Sequence, residues 1–287
     1  MEAEMATNSI RVTLQTTCNC ASKKKNNTVG EWIMKHLITA IVSLAYAASS
    51  FADNHKTDWA VEIGDAVSQT VWLCDLINNA TMKDVTRVDT KLDKFLDKHN
   101  ARIKRDIITP TLDSYAGYDY GALEWATWEE WGRIQDLVTL SDEGQDVVAS
   151  YGEIEKCTVW QASVYPIMRD ASVIQDKNTV ATVNWCKRKP GVSTDQLIAK
   201  HREIVGRVQE THPAIWWGVG YPELGIQEEQ LPGDFYHYMI YPDYQALARN
   251  KNSQANEEGW RNLQDYYTSY ADCVGQVAVT VETVRWR

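Results

Sequence analysis

Short stretches rich in β-branched and aromatic residues alternate along this chain with longer stretches whose apolar residues recur at helical spacing, and the whole pattern occurs twice. Gln69–Leu76 and Thr179–Lys187 read as strands. A helix follows each: Thr81 and Ser193 stand as N-caps, ahead of the stripes Val85, Val88, Leu92, Leu96 and Leu197, Ile204, Val205, Val208. Hairpin strands come next, Ile103–Thr109 with Tyr118–Trp125 and Ile215–Tyr221 with Phe235–Tyr241. Thr127–Lys156 and Asp243–Asp272 read as helical, each broken at an acidic triplet, Asp142-Glu143-Gly144 or Glu257-Glu258-Gly259. Final strands run Thr158–Pro166 and Gly275–Trp286.

Landmarks support a duplication. Cys74 matches Cys186, Pro110 matches Pro222, Gly117 matches Gly233 and Cys157 matches Cys273. The cysteine-to-proline interval is 36 residues in both copies and the glycine-to-cysteine interval is 40 in both. The fold class expected is α+β: two tandem ferredoxin-like βαββαβ repeats, at 69–167 and 179–287, with antiparallel sheets and helices on one face. A linker, 168–178, joins them. In this topology the first and last strands are antiparallel neighbours, which sets the end of the first beside the start of the last. Bridges Cys74–Cys157 and Cys186–Cys273 are therefore the simplest of the three pairings that four cysteines allow. Short-spaced Cys or His partners for a metal are lacking, so no metal is expected.

Disulfides imply an oxidising compartment, and a second signal agrees. Met34–Ala52 has Lys35 and His36, an apolar run Leu37–Ala48, and small residues Ser50 and Ala52 around Phe51. That is the make-up of a secretory signal peptide cut before Asp53. The apolar run is too short for the roughly 20 residues of a membrane-spanning helix. The polar stretch 1–33, which contains Cys18 and Cys20, is then an extension upstream of the true start at Met34, and 53–68 an N-terminal segment of an exported bacterial protein in the periplasm or outside the cell. The full chain carries 29 Lys and Arg against 39 Asp and Glu. The excess of acid is greater still beyond residue 52, which disfavours nucleic acid as a partner.

Two ferredoxin-like units in tandem resemble the dimeric α+β barrel families, among them the antibiotic-biosynthesis-type monooxygenases, EthD-like and NIPSNAP-like proteins and haem-handling enzymes. The resemblance rests on topology over nearly the whole mature chain and on no catalytic motif. It implies two sheets packed face to face as a pseudo-dimeric barrel, and it implies an oxygenase or isomerase, cofactor-independent or assisted by haem. The W/L-C-x-L opening and Y-x-W strand also resemble exported proteins of marine bacteria, which carry over no activity.

Nucleophile-elbow, Walker, dinucleotide, H-E-x-x-H and C-x-x-C motifs are all absent. Attention falls instead on single residues. His201 sits on the apolar stripe of its helix, where an imidazole facing the sheet is an acid, a base or a haem ligand. His237 occupies a strand position aligned with Gly121 of the first copy. Asn184 puts an amide in a central strand, with Gln276 as its expected neighbour. Trp216 and Trp217 point to opposite faces, and their counterparts Lys104 and Arg105 suggest an exposed strand in copy one. The paired Glu129-Glu130 and Glu257-Glu258 read as solvated faces. The residues expected to bind a small apolar or aromatic molecule are Asn184, Trp217, His237, Tyr238 and Gln276, with His201 and His237 as the reactive groups of an enzyme. A third expectation is self-association or partner binding through Trp217 and exposed strand edges.

Overall fold

The structure, a computed structural model, describes residues 65–112, 117–170, 178–225 and 231–286. The signal peptide, the upstream extension and Cys18 and Cys20 lie outside the described residues, as does most of the linker. The first half contains β1 (Val67–Leu76), α1 (Met82–Lys98), β2 (Lys104–Leu112), β3 (Tyr120–Ala126), α2 (Trp128–Leu140), α3 (Asp142–Gly152) and β4 (Glu155–Arg169). The second contains β5 (Thr179–Arg188), α4 (Thr194–Val208), β6 (Trp216–Leu224), β7 (Phe235–Tyr241), α5 (Tyr244–Asn256), α6 (Gly259–Ser269), β8 (Ala271–Cys273) and β9 (Val277–Trp286).

Within the first half the strands lie in the order β4-β1-β3-β2, and within the second β9-β5-β7-β6, all antiparallel. The halves join edge to edge: β4 pairs with β6 and β2 with β9, which closes an eight-stranded barrel. The expected face-to-face packing is thus achieved by hydrogen-bonding the two sheets into one ring, which removes the free edges each would otherwise expose. Both seams carry register shifts, and Pro110 and Pro222, which cannot donate to a ladder, sit at these seams.

Strand alternation divides the side chains. Val71, Leu123, Trp125, Trp160, Trp216, Tyr236 and Tyr238 fill the barrel interior, so it is a packed core. The opposite faces lie under the helices. Cap geometry places the first helix of each half: Asp84 accepts from the Thr81 amide at 3.0 Å, and Ser193 and Gln196 form a reciprocal capping box. The interruption of the long helical stretch falls at Ser141, whose hydroxyl caps α3, one residue before the acidic triplet.

Cys74 faces Cys157 across β1 and β4, and Cys186 faces Cys273 across β5 and β8; both pairs are bonded. The second bridge is carried by the short strand β8, separate from β9.

Two expectations need correction. Cys74 opposes Tyr120 whereas Cys186 opposes Phe235, so His237 is equivalent to Ala122 and not to Gly121. The matching landmark in the hairpins is Asp119 and Asp234. Each donates its amide to the carbonyl of the first-strand cysteine and accepts, on its carboxylate, from the amide two residues past that cysteine, Leu76 or Arg188. Strand β2 is also not exposed at its start: Arg105 is buried beneath α1, and Lys104 is ion-paired to the buried Asp106. Among the described residues no helix is long and apolar enough to cross a membrane.

Candidate functional site

The helix-facing side of the second half contains a cavity of about 220 Å³ between α4, α5, α6 and strands β5 to β7. Its floor is built from alternate strand residues, Asn184 on β5, Trp217 on β6, and His237 and Met239 on β7. The spacing Leu197, His201, Val205 turns one face of α4 inward and brings His201 over that floor. From α6 come Leu263, Tyr266 and Tyr267, and from α5 Arg249 and Asn250.

Three of these groups form a directed chain. The Trp217 indole can only donate, and it gives its N–H to His237 Nδ1 at 3.1 Å. A neutral His237 therefore carries its proton on Nε2, which faces Tyr266 Oη at 3.2 Å. The phenol, accepting there, is left to donate to His201 Nε2 at 2.8 Å. The tautomers are assigned from this network. Burial pushes the His201 imidazole down to about 4; burial, with His201 beside it, holds His237 well below the usual histidine range; and burial raises the Tyr266 phenol. At neutral pH the chain is uncharged.

Two neighbours complete the wall. His212 stacks on Trp217, with ring centroids 5.9 Å apart, accepts from the Ala214 amide at 3.1 Å, and is pushed by burial to about 4. Asn184 donates through Nδ2 to Tyr267 Oη at 3.4 Å, while its Oδ1, buried at the floor, has no hydrogen-bond partner.

The sheet register identifies what occupies the same place in the first half. Arg105 stands where Trp217 does, Asp89 where His201 does, Glu124 where Met239 does, and Tyr151 meets Asp89 as Tyr266 meets His201. There Arg105 contacts Asp89 at 2.5 Å and Glu124 at 3.4 Å, and Tyr151 donates to Asp89 at 2.5 Å. Burial works against the charge on Arg105, but Tyr151, Asp89 and Glu124 outweigh it and hold the proton more firmly than usual.

Of the residues singled out from sequence, Asn184, His201, Trp217 and His237 converge on the cavity, and Gln276 lines its edge. Gln276 accepts from Lys251; the β5–β9 pairing ends at Val183 and Val277, one residue short of Asn184 and Gln276, and the partner of Asn184 on β7 is His237. Tyr238 faces the barrel interior, packed on Trp125 and Trp216. Glu130 is not simply solvated: it accepts from the Arg102 amide at 2.7 Å and grips Arg133. Trp217 is covered by helices and the barrel leaves its eight strands paired on both sides, so neither feature is free to carry a partner. His212, Arg249, Tyr266 and Tyr267 were not singled out; the only local signal was the adjacent tyrosine pair in a helix short of apolar residues.

The residues present do not fit haem. A cavity of about 220 Å³ falls below the roughly 300–1,000 Å³ of drug-sized ligand sites, and a porphyrin is larger than most such ligands. Both ring nitrogens of His237 are engaged, and His201 Nε2 accepts from Tyr266. An axial ligand from His201 or His237 would have to be torn from this chain.

No protein-family model matches the chain. No curated protein resembles it in sequence. Solved structures do resemble it. An anthrone oxidase-like protein matches with a TM-score of 0.50 at 11% identity, covering 79% of this chain and 94% of that one. A putative monooxygenase from Lactobacillus acidophilus NCFM matches at 0.49 and 10% identity, covering 76% and 94%. A putative chlorite dismutase, TA0507, matches at 0.48 and 11%, covering 77% and 96%. At these identities the likeness concerns the fold alone: this chain has the architecture of an α+β barrel.

Proposed function

We propose that the chain is an exported protein that binds one small, mainly apolar molecule of about single-ring size in the cavity of its second half. The observation that carries this reading is a cavity of about 220 Å³ whose lining sets apolar side chains beside a neutral, hydrogen-bonded His–Tyr–His chain. Ile204, Met239, Leu263 and the Trp217 ring supply the apolar wall. Calorimetric titration with phenol and toluene tests it. Both bind, and Met239→Trp, which fills the cavity, removes both. Failure of both probes to bind the unaltered protein overturns the reading.

The two halves are read as a duplicated ferredoxin-like unit, supported by their matching strand orders, caps and disulfides. Export is supported by the same two bridges. Intact mass of protein recovered from a bacterial periplasm, with four cysteines alkylated only after reduction and a chain beginning at Asp53, is the expected result; free thiols would count against it.

A second reading, a cofactor-independent oxygenase or isomerase, is favoured by the Trp217–His237–Tyr266–His201 chain, which holds neutral imidazoles of fixed tautomer against the cavity. Its test is solvent deuterium exchange into a bound carbon acid, accelerated by the protein and lost in His201→Gln.

A further inference from the structure

The two bridges differ in what stands beside their sulfurs. Cys74 and Cys157 oppose each other on β1 and β4, and Tyr120 opposes Cys74 on β3, so the three form one cross-strand row on the helix-facing side. Glu155, two residues before Cys157 on β4, points to the same face. Its Oε1 lies 3.3 Å from Cys157 Sγ and 3.8 Å from Cys74 Sγ, while its Oε2 accepts from the Tyr120 hydroxyl. The sulfurs of a disulfide carry no hydrogen and the phenol's is spent on Oε2, so a hydrogen between Oε1 and the sulfurs can only be the carboxyl's own. Burial pushes Glu155 up, against the Tyr120 hydrogen bond and the Arg105 charge, and Asp89 on α1 adds to the rise. At the second bridge Cys186 Sγ lies 3.7 Å from the Asn184 carbonyl, and among the described residues no carboxyl or imidazole stands within the same reach of its sulfurs.

We propose that the Cys74–Cys157 bridge is a thiol–disulfide exchange site for dithiols, with Glu155 as its general acid. The two sulfurs are not equivalent. Cys157 is half-buried between exposed Lys156 and Thr158, and the pairing of β4 with β6 begins only at Gln161. Cys74 is 1% exposed and packs with Val85, Val88 and Ile107. One thiolate of the dithiol attacks Cys157 Sγ; a sulfur–sulfur bond forms there, the Cys74–Cys157 bond breaks, and the electron pair leaves on Cys74 Sγ. An anion among those apolar side chains is poorly solvated and a poor leaving group. The proton on Glu155 Oε1 moves to Cys74 as the bond breaks, which removes that obstacle. The dithiol's second thiolate then attacks its own sulfur in the mixed disulfide and releases Cys157 as thiolate. The two protons given up by the dithiol return to Glu155 and Cys157; the dithiol is oxidised to a disulfide and the bridge is reduced by two electrons. In the reverse direction the Glu155 carboxylate is the base that takes the Cys74 proton. This site is on the first half and independent of the cavity.

The test is timed reduction of the folded protein by dithiothreitol between about pH 5 and 8, with rapid alkylation and mass mapping of each bridge. The first bridge opens about tenfold or more faster than the second, and Glu155→Gln slows the first by a similar factor while leaving the second unchanged. With glutathione as a monothiol, the mixed disulfide forms on Cys157 and the alkylated thiol is Cys74. The pH profile separates an acid from a structural prop. Divided by thiolate concentration, the rate in the unaltered protein falls as pH rises and Glu155 ionises, and in Glu155→Gln it is flat. In Tyr120→Phe, which removes a hydrogen bond that favours the carboxylate, the fall moves to higher pH. Equal rates for the two bridges, a mixed disulfide on Cys74, or a normalised profile that Glu155→Gln does not change would overturn the proposal.

Discussion

Replacing Arg105 by methionine removes the cation at the centre of the first half's buried cluster, where the Arg105 side chain is 6% exposed, Asp89 11% and Glu124 16%. Two carboxylates lose their common partner, leaving Asp89 with only the Tyr151 hydroxyl, and breaking a buried pair from one side costs about 3–5 kcal/mol. For a domain of this size that lowers Tm by roughly 6–20 °C. The pH dependence has a definite sign. Burial already raises Glu124, and Arg105 is the main influence lowering it, so the substitution raises it further. A carboxyl raised in the folded state stabilises below its unfolded value, and that stability is lost as pH rises through the folded value. The penalty of Arg105→Met therefore shrinks towards acid pH and is largest at neutrality. Urea unfolding followed by tryptophan fluorescence across pH 4.5–7.5 reads this directly. Combining Arg105→Met with Asp89→Leu and Glu124→Met replaces the whole cluster with apolar residues and recovers most of the loss, since a well-packed apolar substitute for a buried ion cluster is often neutral. A single-variant penalty under about 1 kcal/mol, or one unchanged with pH, would refute the reasoning.

Tyr266→Phe removes the link between two buried imidazoles and costs about 1–3 kcal/mol; equal urea midpoints for the two proteins would contradict the chain. His201 is lowered to about 4, so its contribution is fully present above about 6.5 and is lost as pH falls through 4; the acid-side loss of stability is shallower in His201→Gln, by up to about 3 kcal/mol, in denaturant titrations at pH 4 and 7. Removing the second bridge with Cys186→Ala and Cys273→Ala costs about 2–4 kcal/mol, seen as a lowered Tm that reductant no longer changes to the same extent. Incubation with haem gives no bound Soret band; a band that disappears in His201→Gln or His237→Gln would show that the cavity opens for a porphyrin.

The strands were legible because β5 and β7 are rich in β-branched and aromatic residues, and the first helices because α1 and α4 repeat at period 3.6, each with a capping residue in front. Legibility failed where partners are distant in sequence. Arg105 looked solvent-exposed because its carboxylate partners lie on α1 and β3, and nothing local marks a charge as paired. Gly117 and Gly233 aligned by interval, yet the hairpins differ in length, so true equivalence emerged only from the Asp119 and Asp234 hydrogen bonds. At the cavity, His201 betrayed itself by interrupting an apolar stripe. Tyr266, Arg249 and Asn250 belong to α5 and α6, whose inward faces are largely polar, with few buried apolar positions to reveal which side points in.

The contrast between the halves bears on why the second holds a cavity beneath its helices. A cluster of charges excluded from water must find counter-charges, because an ion left short of partners costs several kcal/mol; Arg105, Asp89, Glu124 and Tyr151 close on one another, although Arg105 Nε makes no hydrogen bond. Exchanging these for Trp217, His201, Met239 and Tyr266 converts the same place to neutral dipoles. A neutral amide oxygen left without a donor costs only on the order of 1–3 kcal/mol, a cost that a folded barrel stapled by two disulfides can carry. The second half can therefore stand with Asn184 Oδ1 unpaired, while the first half cannot open without exposing a bare charge.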